Sequence, residues 1–190
     1  MSVPLWLGGY GAAAIVLAAG GGAKAARPAA TARALRQLGL PVSPLAVCAG
    51  GAAEVLVGGA GLVVGGRGPA VLVAASYLVF AIVVVAASRR GSPLTSCGCF
   101  GEVDAPPTLA HALLNLAFAG FAATVVLGGR PDAVLSGGVQ RVAAGQPLVG
   151  AVFVVLTITI AYLAYLVMAV LPRTAAAARA LRRQAMGASS

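Results

Sequence analysis

The distribution of charge along the chain constrains its fold more than any other feature. Only 9% of the residues are charged and 60% are hydrophobic, whereas a soluble domain carries about 25% charged residues. The apolar residues form runs of roughly 20, the length with which a helix crosses the hydrocarbon core of a bilayer. Five spans are predicted, at 3–22, 45–66, 68–88, 108–129 and 148–171. We therefore expect an all-α integral membrane protein that folds as a helical bundle.

The basic residues flank these spans. A net charge of +9 would suit nucleic acid, but its placement beside apolar runs indicates lipid head groups instead. Ten of the 13 basic residues fall on one side of a five-span topology: Lys24, Arg27, Arg33, Arg36, Arg89, Arg90, Arg173, Arg179, Arg182 and Arg183. The positive-inside rule then predicts, for a bacterial inner membrane, an N-terminus outside and a C-terminus inside.

The first loop carries four of these basic residues, beginning with Lys24. Residues 31–40 predict a short interfacial helix, with a solvated basic loop as the alternative. The run Ala23-Lys24-Ala25 has the small-x-small form of a cleavage site, which leaves a signal peptide as the alternative to the first span.

Two cysteines lie one residue apart in the loop between the third and fourth spans. Gly98, between Cys97 and Cys99, has no Cβ and lets the chain fold tightly enough for a disulfide. Such a bridge would close almost no loop, so it would add little stability and be easily reduced. This favours redox exchange, and a tight turn with two inert thiols is the alternative. Cys48, at the start of the second span, is expected at the same membrane face.

Three polar side chains fall inside predicted spans. An ionised Glu54 near the middle of the second span costs about 2.5 kcal/mol or more, so it must face the bundle interior and either pair with a partner or carry a proton. His111 and Asn115 are spaced i, i+4 and share a face of the fourth span. Glu54 and His111 are candidate proton handlers. A packing hydrogen bond is the alternative for Glu54, and a capping or packing role is the alternative for His111.

Thiol–disulfide exchange is the simplest chemistry for this set, with Arg89 and Arg90 favouring a thiolate nearby. Metal binding is the weaker alternative, since Cys48, Cys97, Cys99 and His111 would supply four zinc-like ligands, but metal motifs usually pair Cys-x2-Cys units. A quinone would fit an apolar bundle, as it would fit almost any such protein.

The same residues resemble the signature of a known family. The similarity rests on Arg89-Arg90-Gly91, on Cys97-Gly98-Cys99-Phe100-Gly101, on residues 34–41, on Glu54 and on Asn115. This set resembles the methylamine utilisation protein MauE family, which is related in architecture to DoxX-like membrane proteins. The resemblance covers about residues 1–130, and the Cys-Gly-Cys-Phe-Gly run is its specific part.

The resemblance implies a four-helix core over 1–130 that carries the cysteine loop at 92–107. A loop with a fifth span (131–172) and a basic tail (173–190) follow. It also implies a role in maturing an exported disulfide-containing protein beside a thioredoxin-like partner. That role lies outside the cytoplasm, whereas the charge pattern puts the cysteine loop inside, so the loop would have to re-enter the bundle or relay electrons.

The leading interpretation is therefore a membrane thiol–disulfide redox protein. A non-catalytic membrane assembly or chaperone factor is the alternative from another class. A proton-coupled transporter that uses Glu54 is a weaker one.

Overall fold

The computed structural model describes residues 5–89, 108–128 and 147–170, together with position 134 and six isolated positions between 174 and 186. The described chain forms six α-helices and one π-helical turn: α1 (Leu5–Ala26), α2 (Pro28–Gln37), α3 (Pro44–Val63), α4 (Arg67–Arg89), α5 (Leu109–Gly128), α6 (Pro147–Tyr165) and the turn Leu166–Val170. Five of these helices, all except α2, are long and apolar enough to cross a membrane. This confirms the prediction of an all-α integral membrane protein.

Helix α1 forms the axis of the bundle. Its most apolar stretch is 67% buried, compared with 22–39% for the other four spans, and α3, α4, α5 and α6 all contact it. Tyr10, Ala13 and Leu17 on this helix are almost fully enclosed. The outer helices instead expose many large apolar side chains, as expected of surfaces that face lipid.

Glycines set the close approach of α3 to α1. A Cβ added at Gly51 would lie 2.5 Å from the carbonyl oxygen of Gly21, and one added at Gly58 would lie 2.5 Å from that of Ala14. Lipid tails are as apolar as the side chains, so helices in a membrane associate largely through such close packing. The two contacts also show that α3 runs antiparallel to α1.

The spans alternate in direction, which brings five helix ends together. Tyr77 of α4 donates a hydrogen bond to the carbonyl oxygen of Ala13 at 2.6 Å, and its ring packs against Phe118 of α5 with centroids 5.1 Å apart. Together these contacts join α1, α4 and α5.

We call the end of the bundle formed by Ala26, Pro44, Arg89, Leu109 and Val170 the loop end, because the cysteine loop is attached there.

Helix α2 lies at the loop end and corresponds to the interfacial helix predicted at 31–40. It begins at Pro28, whose missing N–H suits the first helical position, and Arg27, Arg33 and Arg36 on or beside it are exposed. Leu38, just after the helix, packs against Ala87 near the end of α4. Its arginines are thus exposed on a helix that is anchored to the bundle.

The first predicted span was wrong at its C-terminal end. The sequence placed the end at residue 22 and assigned Lys24 to the basic loop that follows, whereas α1 continues to Ala26 and Lys24 is only 8% exposed. The physical reason is an ion pair with Glu54, described below.

The fifth span packs into the same core as the others. Thr157 of α6 lies against Gly8 and Gly11 of α1, and Ala161 and Ala164 belong to the same buried cluster as Tyr10. The division of the chain near residue 130 stays a prediction.

The contact between α1 and α3 gives a direct test of the packing, because a buried and an exposed glycine are neighbours on α3. We expect Gly51→Ala to lower the free energy of unfolding by about 1–3 kcal/mol, the usual cost of overpacking. Gly50→Ala meets no atom within 4 Å and should leave stability unchanged or raised, since alanine favours helix. Thermal unfolding in detergent measures both, and equal midpoints would contradict the packing.

Candidate functional site

A buried ion pair joins α1 to α3. The Lys24 ammonium nitrogen lies 2.7 Å from Oε1 and 2.6 Å from Oε2 of Glu54, and the two side chains are only 10% and 16% exposed. Side chains in a helix tilt toward its N-terminus, and α1 and α3 run in opposite directions, so the two long side chains extend toward each other. Glu54 thus faces the bundle interior and has a partner, as the sequence required.

The ammonium of Lys24 has a third neighbour. Its nitrogen lies 4.1 Å from the centroid of the Phe80 ring on α4, close enough for a cation–π interaction. The carboxylate and the aromatic face together replace the hydration that the ammonium loses. This explains why Lys24 does not extend to the membrane surface as lysines near helix ends usually do.

Sequence reasoning missed this pair, although one signal for it was present. Lys24 is the only lysine among 13 basic residues, and it directly follows the span before Glu54. A carboxylate inside a membrane needs a cation, and Lys24 is the nearest basic residue to the first span.

A small cavity of about 20 Å³ lies beside the ion pair, close to the volume that one water molecule needs. Its lining residues come from four spans and the π-helical turn: Val16, Leu17, Gly20, Lys24, Glu54, Tyr77, Phe80, Asn115 and Met168. Its polar residues are the ion pair, Asn115 and Tyr77, whose hydroxyl donates to Ala13.

Asn115 is buried at this cavity without a hydrogen-bond partner among the described residues. It is 1% exposed, and neither its Nδ2 nor its Oδ1 has a hydrogen-bond partner within the described part of the chain. A buried polar group left unpaired costs about 1–3 kcal/mol. Asn115 therefore stands out as a group positioned for something other than packing.

His111 fixes the start of α5 against the π-helical turn. Its Nδ1 lies 2.8 Å from Thr108 Oγ1 and accepts from the Thr108 backbone N–H at 3.2 Å, and its Nε2 lies 2.9 Å from the carbonyl oxygen of Met168. These contacts fit a neutral ring that carries its proton on Nε2. His111 and Asn115 share the inner face of α5, as their spacing predicted, while the role of His111 in proton transfer stays a prediction.

Cys48 lies at the loop end, half-buried in the first turns of α3. Its Sγ is 3.6 Å from the carbonyl oxygen of Ala25, and it precedes Glu54 by about 9 Å along the helix axis. Arg89, the last residue of α4, is exposed at the same end.

The remaining candidate residues lie outside the described part of the chain: Arg90, Cys97, Gly98, Cys99, Phe100 and Gly101. Pairing of the two loop cysteines therefore stays a prediction. Among the described residues, no three of the types His, Cys, Asp and Glu lie close enough to hold a metal ion. Cys97 and Cys99, two of the four residues considered as zinc ligands, lie outside the described residues.

The family model described as methylamine utilisation protein MauE matches residues 1–128, which include α1 to α5 and the cysteine loop. No curated protein and no solved structure matches the chain.

The ion pair can be tested by removing one charge or both. Lys24→Met leaves Glu54 buried without its cation, and we expect a loss of about 3–5 kcal/mol in the free energy of unfolding. The double variant Lys24→Met/Glu54→Met leaves no charge and should recover most of that loss. The exposed Arg33→Met serves as the control for loss of a positive charge and should have little effect. A double variant no more stable than Lys24→Met would contradict the pairing, as measured by thermal unfolding in detergent.

Proposed function

The chain belongs to the methylamine utilisation protein MauE family, and from this premise we propose that it is a membrane thiol–disulfide redox protein that introduces disulfides into an exported partner. The family description supports a membrane protein of methylamine utilisation. The finer role rests on the cysteines and on where their neighbours lie in the bundle.

The observation that carries the proposal is the arrangement of the loop end. Arg89 and Thr108, which border the segment that holds Cys97 and Cys99, lie at the same end of the bundle as Cys48. The segment that carries Cys97 and Cys99 therefore starts and ends at the end of the bundle where Cys48 lies. Exposed Arg89 adds positive charge there, and positive charge favours the thiolate, the form that attacks disulfides.

In the proposed reaction, a thiolate of the reduced client attacks the Cys97–Cys99 disulfide and forms a mixed disulfide. The second client thiolate then attacks the client sulfur of that mixed disulfide, so the client gains a disulfide and the Cys97–Cys99 pair takes up two electrons and two protons. A thioredoxin-like partner in its disulfide form, or a quinone that leaves as quinol, removes them again. Cys48 serves as a relay thiol that exchanges with the pair.

Glu54 and His111 act in this proposal mainly by holding the frame. Both oxygens of Glu54 contact Lys24, and both ring nitrogens of His111 have partners. These contacts fix α1, α3 and α5 at or near the loop end. A proton passes through either group only when one of these bonds opens.

Counting reactive thiols tests the redox pair. The chain has three cysteines, so a mass-tagged maleimide added after denaturation should label one thiol in the oxidised protein and three after reduction. Cys48→Ser is the matched control: it should keep the Cys97–Cys99 disulfide and show no label until the protein is reduced. Cys48→Ser/Cys97→Ser keeps one cysteine and should show one label in both states.

A model peptide with two thiols provides the functional readout. The oxidised protein should form about one peptide disulfide per chain, and Cys97→Ser/Cys99→Ser should form none. If both loop cysteines label fully under every redox condition, the redox proposal fails. If the double variant still supports partner maturation in cells at a normal protein level, the non-catalytic assembly factor replaces it.

We further propose that the loop end faces the cytoplasm of a bacterial inner membrane. The loop end exposes four arginines, Arg27, Arg33, Arg36 and Arg89. By the positive-inside rule, such a basic surface stays on the cytoplasmic side of the membrane. The thiols would then meet an extracytoplasmic partner through a loop that re-enters the bundle, or through a relay.

Single cysteines in a background without the natural three test this orientation. Ala29→Cys lies exposed on α2 at the loop end, and Gly68→Cys lies exposed at the opposite end. A membrane-impermeant maleimide on intact cells should label Gly68→Cys, and Ala29→Cys only after permeabilisation. The reverse pattern would place the thiols outside.

A further inference from the structure

The cavity beside Asn115 has the properties of a ligand site that the cysteine chemistry does not use. Asn115 is 1% exposed, and its donor and acceptor are both unpaired within the described residues. Buried polar groups are nearly always hydrogen-bonded, to protein or to a bound molecule. A cavity of about 20 Å³ in direct contact with this side chain accommodates one oxygen atom with its hydrogens.

The neighbours of Asn115 are already engaged with one another. Lys24 donates to both oxygens of Glu54 and faces Phe80, and the Tyr77 hydroxyl donates to Ala13. One turn earlier on α5, His111 is held through both ring nitrogens, so α5 cannot easily turn Asn115 away. The carboxamide is therefore fixed toward the cavity.

The cavity has its exposed side between α3 and α4. All of its lining residues are buried except Glu54 and Phe80, which are partly exposed and belong to these two helices. Glu54 lies about 15 Å along α3 from Pro44, which is near the middle of a span. Its neighbours Val55 and Leu56 are exposed, as on a lipid-facing surface. A ligand can thus reach Asn115 sideways, from the bilayer.

We propose that this cavity binds a neutral hydroxyl oxygen, which accepts a hydrogen bond from Asn115 Nδ2 and donates one to Asn115 Oδ1 or to the Glu54 carboxylate. A charged group does not fit, because Lys24 and Glu54 already neutralise each other. The oxygen belongs either to a water molecule or to a lipid-soluble alcohol whose chain lies between α3 and α4. The proposal does not depend on the reactivity of Cys97 and Cys99.

The sequence makes a selective measurement possible. Asn115 is the only asparagine in the chain, so ¹⁵N-labelled asparagine gives a single side-chain amide signal in solid-state NMR of the full chain in lipid bilayers. We expect that signal to receive magnetisation from a bound water or, in bilayers that contain hexadecanol labelled with ¹³C at its hydroxyl carbon, from that carbon. Transfer from water assigns the site to water, and transfer from the alcohol assigns it to a membrane amphiphile.

Two variants add a control and a stability test to this measurement. Thr157→Val removes another buried hydroxyl, one that does not line the cavity, and should leave the contact intact. Asn115→Leu should lower the thermal midpoint, because the bound oxygen loses its partner. If the amide signal shows no contact with water or alcohol, the proposal is overturned. A raised midpoint for Asn115→Leu also overturns it, since an unpaired amide gains from replacement by an apolar side chain.

Discussion

The ion pair between Lys24 and Glu54 is the interaction on which the arrangement of this bundle depends. Either charge alone inside a membrane is costly, and a buried pair offsets that cost only with close geometry. The 2.6–2.7 Å contacts require α1 and α3 to approach closely, which Gly51 and Gly58 permit. Glycine packing and charge pairing are thus one constraint: a larger residue at the contact would separate the helices and leave two unpaired charges in an apolar environment.

Several polar groups of the core lie beside that contact or between it and the loop end. Cys48 and His111 lie near the loop end, and the ion pair and Asn115 lie deeper. Each of the first three has a main-chain or side-chain partner, which rigidifies the part of the frame that holds the cysteine loop. Thiol exchange benefits from such rigidity, since attacking and resolving sulfurs must meet in one geometry. The structural and chemical roles proposed for these residues therefore support each other.

The sequence predicts the spans well, because a helix that crosses lipid must be apolar over its whole length. It predicts equally that Glu54 faces inward. It fails at Lys24, since a hydropathy pattern treats every lysine as a loop residue and cannot see a partner 30 positions away. The cavity at Asn115 depends on residues from four spans and a π-helical turn, so no local pattern could have revealed it. The spacing of His111 and Asn115 gave their shared face but not their different hydrogen bonding.

The fifth span changes how the site should be understood. The family match ends at residue 128, and the resemblance implied a core of four helices with this span as an addition. Yet Met168, in the π-helical turn after α6, supplies both a wall of the cavity and the carbonyl oxygen that His111 contacts. Single π-helical turns often occur at functional sites. In this chain the segment beyond the family match closes the polar core, so the π-helical turn that follows α6 belongs to the site.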